Sequence, residues 1–326
     1  MVEKLPIAKA IGLGLRDAMR ADDKVLIMGE DVGRLGGVFR VTDGLFDEFG
    51  GDRVVDTPLS EASIIGTAIG LAFRGYRANC EIQFDGFVFP AFNQITTQLA
   101  KMHNRTEGRV RVPVVIRIPY GGAIGAVEHH SESPEAYFTH TAGLRVITPS
   151  TANDAYWMTR QAIECEDPVI VFEPKRHYWL RGEVDLDHAP EESAFQARIA
   201  RPGEDATVVA WGPTVSTALE AAALAEEEGR SVEVIDLRSL NPIDMPTVIE
   251  SVQRTGRLVV VHEAPVFGGL GGEIAARVTE QCFYHLEAPV QRVGGCSTPY
   301  PPARMERHYL PDAERVLDAV TASFAY

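Results

Sequence analysis

Two stretches of this sequence concentrate side chains suited to acid–base chemistry. In the first, Asp56 to Gln98, one carboxylate, Glu61, stands at the mouth of a small-residue helix. Ser60 is placed to cap that helix. Ile64, Ile65, Ala68, Ile69 and Ala72 form its apolar stripe, and Gly66 and Gly70, four apart, would let another backbone pack close. A strand from Arg77 to Phe84 follows, then Phe87, Phe89 and Phe92. An acid faced by aromatics can hold a flat heteroaromatic ring. The plainer alternative is that Glu61 only complements the helix dipole while the aromatics are core.

The second stretch, Ala126 to Glu135, reads AVEHHSESPE. His129 and His130, among acids in a loop after a strand, suit proton transfer near neutral pH. A metal centre is the rival. Adjacent histidines on an extended segment do not readily bind one ion, and no third ligand stands at a supporting spacing. The structural alternative is a loop whose His and Ser cap the next helix.

Other chemistries lack their signatures. Gly12-Leu13-Gly14 sits inside a helix and has no third glycine. Gly268 to Gly272 follows a strand and opens a helix, but does not read G-x-G-x-x-G, so a nicotinamide dehydrogenase is disfavoured. The P-loop, the G-x-S-x-G elbow and H-E-x-x-H are absent.

The elements that must position these residues alternate. Strands are expected at Val25 to Gly29, Arg77 to Phe84, Val112 to Pro119, Leu144 to Pro149 and Val169 to Phe172, with helices between them, including one from Pro90 to His103. The continuous apolar run Val112 to Pro119, broken by one Arg, is typical of a parallel strand. The fold class is α/β with mainly parallel sheets. Acids and prolines interrupt the rhythm after Trp179, which divides the chain into a domain at 1–180, a linker at 181–203 and a second α/β domain at 204–326. The 326 residues suffice for two domains. A formal net charge of −15 argues against nucleic acid as a partner. The four cysteines show no C-x-x-C spacing, and Cys80 and Cys282 sit in apolar runs as core thiols. No signal core or membrane span is evident, so a cytoplasmic enzyme or enzyme subunit is expected.

An ordered set of segments then resembles one family. It comprises M-G-E-D-V (28–32), D-T-P-L-S-E (56–61), E-I-Q-F-D-G-F-V-F-P-A-F-N-Q (81–94), H-H-S-E-S-P-E-A-Y-F (129–138), F-E-P-K (172–175), V-I-D-L-R (234–238) and H-E-A-P (262–265). The chain is similar to the β subunit of the thiamine-dependent decarboxylase component of 2-oxo acid dehydrogenase complexes. The resemblance implies a transketolase-like chain with a pyrimidine-binding domain and a transketolase C-terminal domain. It also implies an α2β2 heterotetramer that shares thiamine diphosphate between subunits, with magnesium held by the α subunit. The usual magnesium and diphosphate signature, G-D-G and then Asn, fails here at Arg53, and Asn79 lies in a strand.

By the same resemblance, Glu61 would hydrogen-bond a pyrimidine ring nitrogen and Phe87 would stack on the ring, where many relatives have Tyr. Leu59 and Gln83 would line that pocket. His130 would face substrate and lipoyl group and act as an acid in acyl transfer, with His129 as second choice. Val114, Ala162, Cys165 and Asp167 fall where relatives hold a structural potassium through main-chain oxygens. The implied reaction is oxidative decarboxylation of a 2-oxo acid and acyl transfer to a lipoyl domain of the acyltransferase core. Branched-chain substrates are favoured by E-I-Q-F and S-P-E-A-Y-F; pyruvate is the alternative. A non-catalytic scaffold chain is disfavoured because Glu61 and His130 are both present.

Overall fold

The computed structural model describes residues 1–326. Strand β1 (Val2–Pro6) leads into α1 (Ile7–Ala21), β2 (Val25–Gly29), α2 (Leu45–Phe49), β3 (Val54–Asp56), α3 (Glu61–Ala72) and β4 (Arg77–Glu81). After an aromatic segment come α4 (Ala100–Arg105), β5 (Val115–Tyr120), α5 (Glu135–Thr139), β6 (Arg145–Ile147), α6 (Ala152–Glu164) and β7 (Val169–Pro174). Apart from β1, these strands form a parallel sheet in the order β6-β7-β5-β4-β2-β3. Every residue of β2, β5 and β7 is buried. Helices cover both sheet faces, which is why these strands read as unbroken apolar runs rather than alternating ones. One face packs on α1 and α6. The other packs on α3 and the aromatic segment.

The second half contains β8 (Arg181–Asp185), β9 (Arg198–Arg201), β10 (Ala206–Ala210), α7 (Thr214–Glu227), β11 (Val232–Asp236) and β12 (Ser239–Asn241). It continues with α8 (Met245–Thr255), β13 (Leu258–Pro265), α9 (Leu270–Cys282), β14 (Gln291–Gly295), α10 (Glu306–Tyr309) and α11 (Ala313–Ser323). Its sheet runs β14-β13-β10-β11-β9, with only β9 antiparallel. Helix α8 shows how local sequence sets an element. The Asp244 side chain accepts from the Thr247 N–H at its start, and Gly256 ends it in the left-handed region at φ 68°.

The two halves are tied together. Strand β12 leaves the second sheet and pairs antiparallel with β6 at the edge of the first. One apolar core runs from α3 through Phe138 and Trp211 to Val260 and Ile274. The 181–203 segment, expected as a linker, carries two strands. β8 pairs with β1 and β9 with β11.

Three local expectations change. The single helix expected over Pro90 to His103 is a 3-10 turn (Asp85–Ala91), a π turn (Gln94–Leu99) and then α4. Pro90 lacks an N–H, and four phenylalanines between 84 and 92 are distributed to different sides. Ser60 holds the capping position of α3, but its hydroxyl donates to the Ser63 hydroxyl at 2.8 Å instead of accepting from the helix backbone. No other part of the chain lies within 4 Å of a Cβ built at Gly66 or Gly70, so this face of α3 is open rather than packed.

Candidate functional site

The chemistry gathers at the carboxyl ends of β2, β3 and β4, where parallel sheets of this kind place their sites. Glu61 is the first residue of α3 and is only 7% exposed. Glu30, directly after β2, is also buried, and its Oε1 has no hydrogen-bond partner. Burial raises the Glu30 carboxyl above its ordinary range, and the nearby charges of Glu61 and Asp31 push it further in the same direction. Two carboxyl groups therefore meet at one end of the sheet. One of them, Glu30, presents an atom that the chain leaves unpaired.

Gln83 braces this corner. Its Nε2 donates to Asp31 Oδ2 at 3.0 Å and to the Glu30 carbonyl at 3.4 Å, joining the end of β4 to the end of β2. Asp31 adopts φ 59°, an uncommon conformation for a residue other than glycine, so the turn carrying Glu30 is held against local preference. Leu59, two residues before Glu61, is 82% exposed. An apolar side chain so placed beside a buried acid is available to a second surface.

The aromatic segment forms the floor. The 3-10 turn bearing Phe87 packs against α3. Phe84 stacks on His130, with centroids 4.1 Å apart and planes at 16°, and Phe87 meets His130 edge-on at 5.0 Å. Phe89 and Phe92, expected to face the acid, instead pack around Tyr137, at 5.5 and 6.1 Å. His130 Nδ1 lies 2.9 Å from the His129 carbonyl oxygen. A carbonyl can only accept, so Nδ1 carries hydrogen and Nε2 is left to exchange protons with a ligand. His129 is more peripheral, 3.6 Å from Glu128 through Nδ1.

The structure thus brings Glu61, Gln83, Phe87 and His130 to one end of the first sheet. Sequence reasoning did not nominate Glu30. The available signal was the acid directly after an all-apolar strand. A groove of about 530 Å³ lies elsewhere, lined by His140, Asn241, Glu273 and Arg277 among others, and contains none of the four.

Val114, Ala162, Cys165 and Asp167 lie at the opposite end of the sheet, where β5 and β7 begin. The Val114 carbonyl accepts from the Val169 N–H at 3.0 Å. The Cys165 carbonyl accepts from Arg77 Nη1 at 3.2 Å, and Asp167 pairs through its side chain with Arg145. Carbonyl oxygens keep a second lone pair, so these bonds do not exhaust them. Gly51 and Asp52 are exposed ahead of β3, whereas Asn79 is buried within β4. They form no common diphosphate site.

Residues 3–179 match the transketolase pyrimidine binding domain and residues 196–316 the transketolase C-terminal domain. The chain is 63% identical over 325 residues to the pyruvate dehydrogenase E1 component subunit beta of Leifsonia xyli subsp. xyli, covering 100% of this chain and 96% of the relative. It is 55% identical over 321 residues to the 3-methyl-2-oxobutanoate dehydrogenase subunit beta of Mycobacterium tuberculosis, covering 98% and 92%. The chain belongs to the β subunits of 2-oxo acid dehydrogenases. The 2-oxoisovalerate dehydrogenase subunit beta of Bacillus subtilis is 40% identical over 311 residues, with 94% of each chain covered. A solved "Split gene transketolase, inactive beta4 tetramer" superposes with a TM-score of 0.79 at 24% identity, covering 98% of each chain, and this likeness speaks for the fold alone. The family depends on thiamine diphosphate, and its β subunits work with an α subunit within a multienzyme complex. No helix of this β subunit is long and apolar enough to cross a membrane.

Proposed function

We propose that this β subunit provides the pyrimidine half of a thiamine diphosphate site, and that the assembled enzyme decarboxylates a branched-chain 2-oxo acid and passes the acyl group to a lipoyl domain. One observation carries the reading. A buried acid, Glu61, stands beside Glu30, whose Oε1 has no partner, above an aromatic floor containing Phe87. An aminopyrimidine fits such a place, because its flat ring can lie on Phe87 and its nitrogens can hydrogen-bond the acids. When bound, thiamine diphosphate supplies the electron sink for decarboxylation. Glu61 would hold a proton at a pyrimidine nitrogen, and Gln83 would keep the Glu30 turn in place. Leu59 would close the pocket against the second subunit. His130 would hold a proton on Nε2 for delivery to the lipoyl group.

The remaining partners follow from what this chain lacks chemically. Gly51 to Arg53 and Asn79 cannot hold magnesium and diphosphate together, so that half of the site falls to the α subunit in an α2β2 assembly. The exposed Leu59 and the open Gly66 and Gly70 face of α3 suit such contacts. The carbonyls of Val114, Ala162, Cys165 and Asp167 would supply oxygen ligands for a structural potassium far from the reacting groups. Four free thiols, two of them buried, suit a reducing, cytoplasmic setting.

Pyruvate is the second substrate reading, favoured by the printed name of the 63% identical relative. The test is turnover of the β subunit assembled with its α partner on both substrates at equal concentration. A kcat/KM at least about tenfold higher for 2-oxoisovalerate is expected, since extra methyl groups in an apolar pocket give about 10–200-fold discrimination. Equal or greater efficiency with pyruvate would overturn the branched-chain assignment and leave the site assignment standing.

A further inference from the structure

Asp85 and Lys175 are both almost completely buried, and they form an ion pair beneath the His130 loop. Neither belongs to the group that would touch the cofactor. We propose that this pair is a positioning element that sets the orientation of His130 for acyl transfer; the proposal rests on the role given to His130 above.

The Asp85 carboxylate is shared between two parts of the chain. Oδ1 accepts from Lys175 Nζ, and Oδ2 accepts from the Glu132 N–H at 2.9 Å. Glu132 lies two residues after His130. Its own carbonyl accepts from the Gly121 N–H at 2.9 Å, which closes the loop back onto the end of β5. Lys175 follows β7 directly and also donates to the Pro119 carbonyl, at 3.3 Å within β5. The pair therefore anchors the loop to two central strands, the most rigid frame nearby.

The neighbours of Asp85 transmit that anchoring to the imidazole. Phe84 stacks on His130, and Lys175 Nζ lies 5.6 Å from the centre of the Phe84 ring, within cation–π range. A Cβ at Gly86 would stand 2.3 Å from the His129 carbonyl oxygen, so only glycine lets the loop approach this closely. That same carbonyl fixes the hydrogen on His130 Nδ1. Phe84 and Gly86 thus set the ring plane and the height of the loop, while the His129 carbonyl sets the tautomer. Burial pushes the Asp85 carboxyl up to about 6 despite the opposing pull of Lys175. The carboxylate depends on the ammonium for its charge, and a buried pair of this kind is retained for geometry more readily than for stability.

The test uses the assembled enzyme with Asp85→Asn, which keeps the shape but leaves one acceptor oxygen where two hydrogen bonds were accepted, and with the double variant Asp85→Asn/Lys175→Met, which leaves no unpaired buried charge. Three quantities are read in each: dye reduction, lipoyl-domain acylation across pH, and the rate at which diethylpyrocarbonate modifies His130 in the cofactor-free assembly, followed by mass spectrometry. Assembly and dye reduction are expected within about twofold of wild type. Acylation should fall about tenfold or more, because small misplacements of a reacting group carry penalties up to about 10²-fold. The pH midpoint of acylation and the modification rate of His130 should both move. A merely structural role predicts equal losses in the two activities, an unmoved pH midpoint and an unchanged modification rate, and any variant with that pattern overturns the proposal. Failure of both variants to assemble overturns it as well, since the pair would then be a folding element. His130→Ala, run alongside, separates the two claims. If it changes the acylation-to-dye ratio while the Asp85 variants do not, only the positioning role is lost.

Discussion

Glu61→Gln in the assembled enzyme is expected to preserve fold and assembly and to slow proton exchange at the thiazolium carbon of bound thiamine diphosphate by roughly 10²–10⁴-fold, the usual contribution of a positioned acid–base group. The substitution is close to isosteric at the first residue of α3, so packing against the aromatic turn is retained. What is lost is the ability to share a proton with a ring nitrogen. The change should also be felt at Glu30, whose carboxyl is raised by burial and then by the charge of Glu61. Removing that charge lets Glu30 ionise more readily. Exchange rates measured by rapid acid quench and NMR decide the point. If they are unchanged in a mutant that assembles normally, Glu61 does not activate the cofactor.

His130→Ala is expected to separate two half-reactions. Dye reduction, which reports decarboxylation, should survive in large part. Acylation of a lipoyl domain should fall by about 10²-fold or more. Opening a dithiolane produces a thiolate that must receive a proton from a group poised near neutral pH. His130 is suited to that task because Nδ1 is tied to a carbonyl and the ring is stacked on Phe84, leaving Nε2 for the incoming group. A histidine that only shapes its loop would lower both activities together. An unchanged ratio of acylation to dye reduction would remove His130 from the transfer step and make His129 the next candidate.

Much of this arrangement was legible in the chain. Strand β2 lies at its expected bounds, because an unbroken apolar run is a local signal. Glu61, Gln83, Phe87 and His130 could be nominated because they fall within segments shared with a family. Features that depend on distant partners were not legible. β1 and β8 are only partly buried and pair across about 180 positions, so neither shows an apolar pattern of its own. β12 is a three-residue strand that pairs with the other half of the molecule. The aromatic segment looked helical by spacing, but Pro90 and the separate destinations of its rings divided it. Glu30 and the Asp85–Lys175 pair become informative only when burial and neighbours are known, since in sequence each is one charged residue among many.

The most direct test of the account is titration of thiamine diphosphate and magnesium into the isolated β subunit, and then into the subunit mixed with its α partner, by calorimetry. Glu61 and Glu30 are buried at the carboxyl end of the first sheet, while Gly51 and Asp52 are exposed ahead of β3 and Asn79 is buried within β4, and the proposed division of the site leaves the diphosphate half to the α subunit. The account predicts no magnesium-dependent binding in the micromolar range by the isolated subunit, and its appearance on assembly. Micromolar magnesium-dependent binding by the β subunit alone would contradict it.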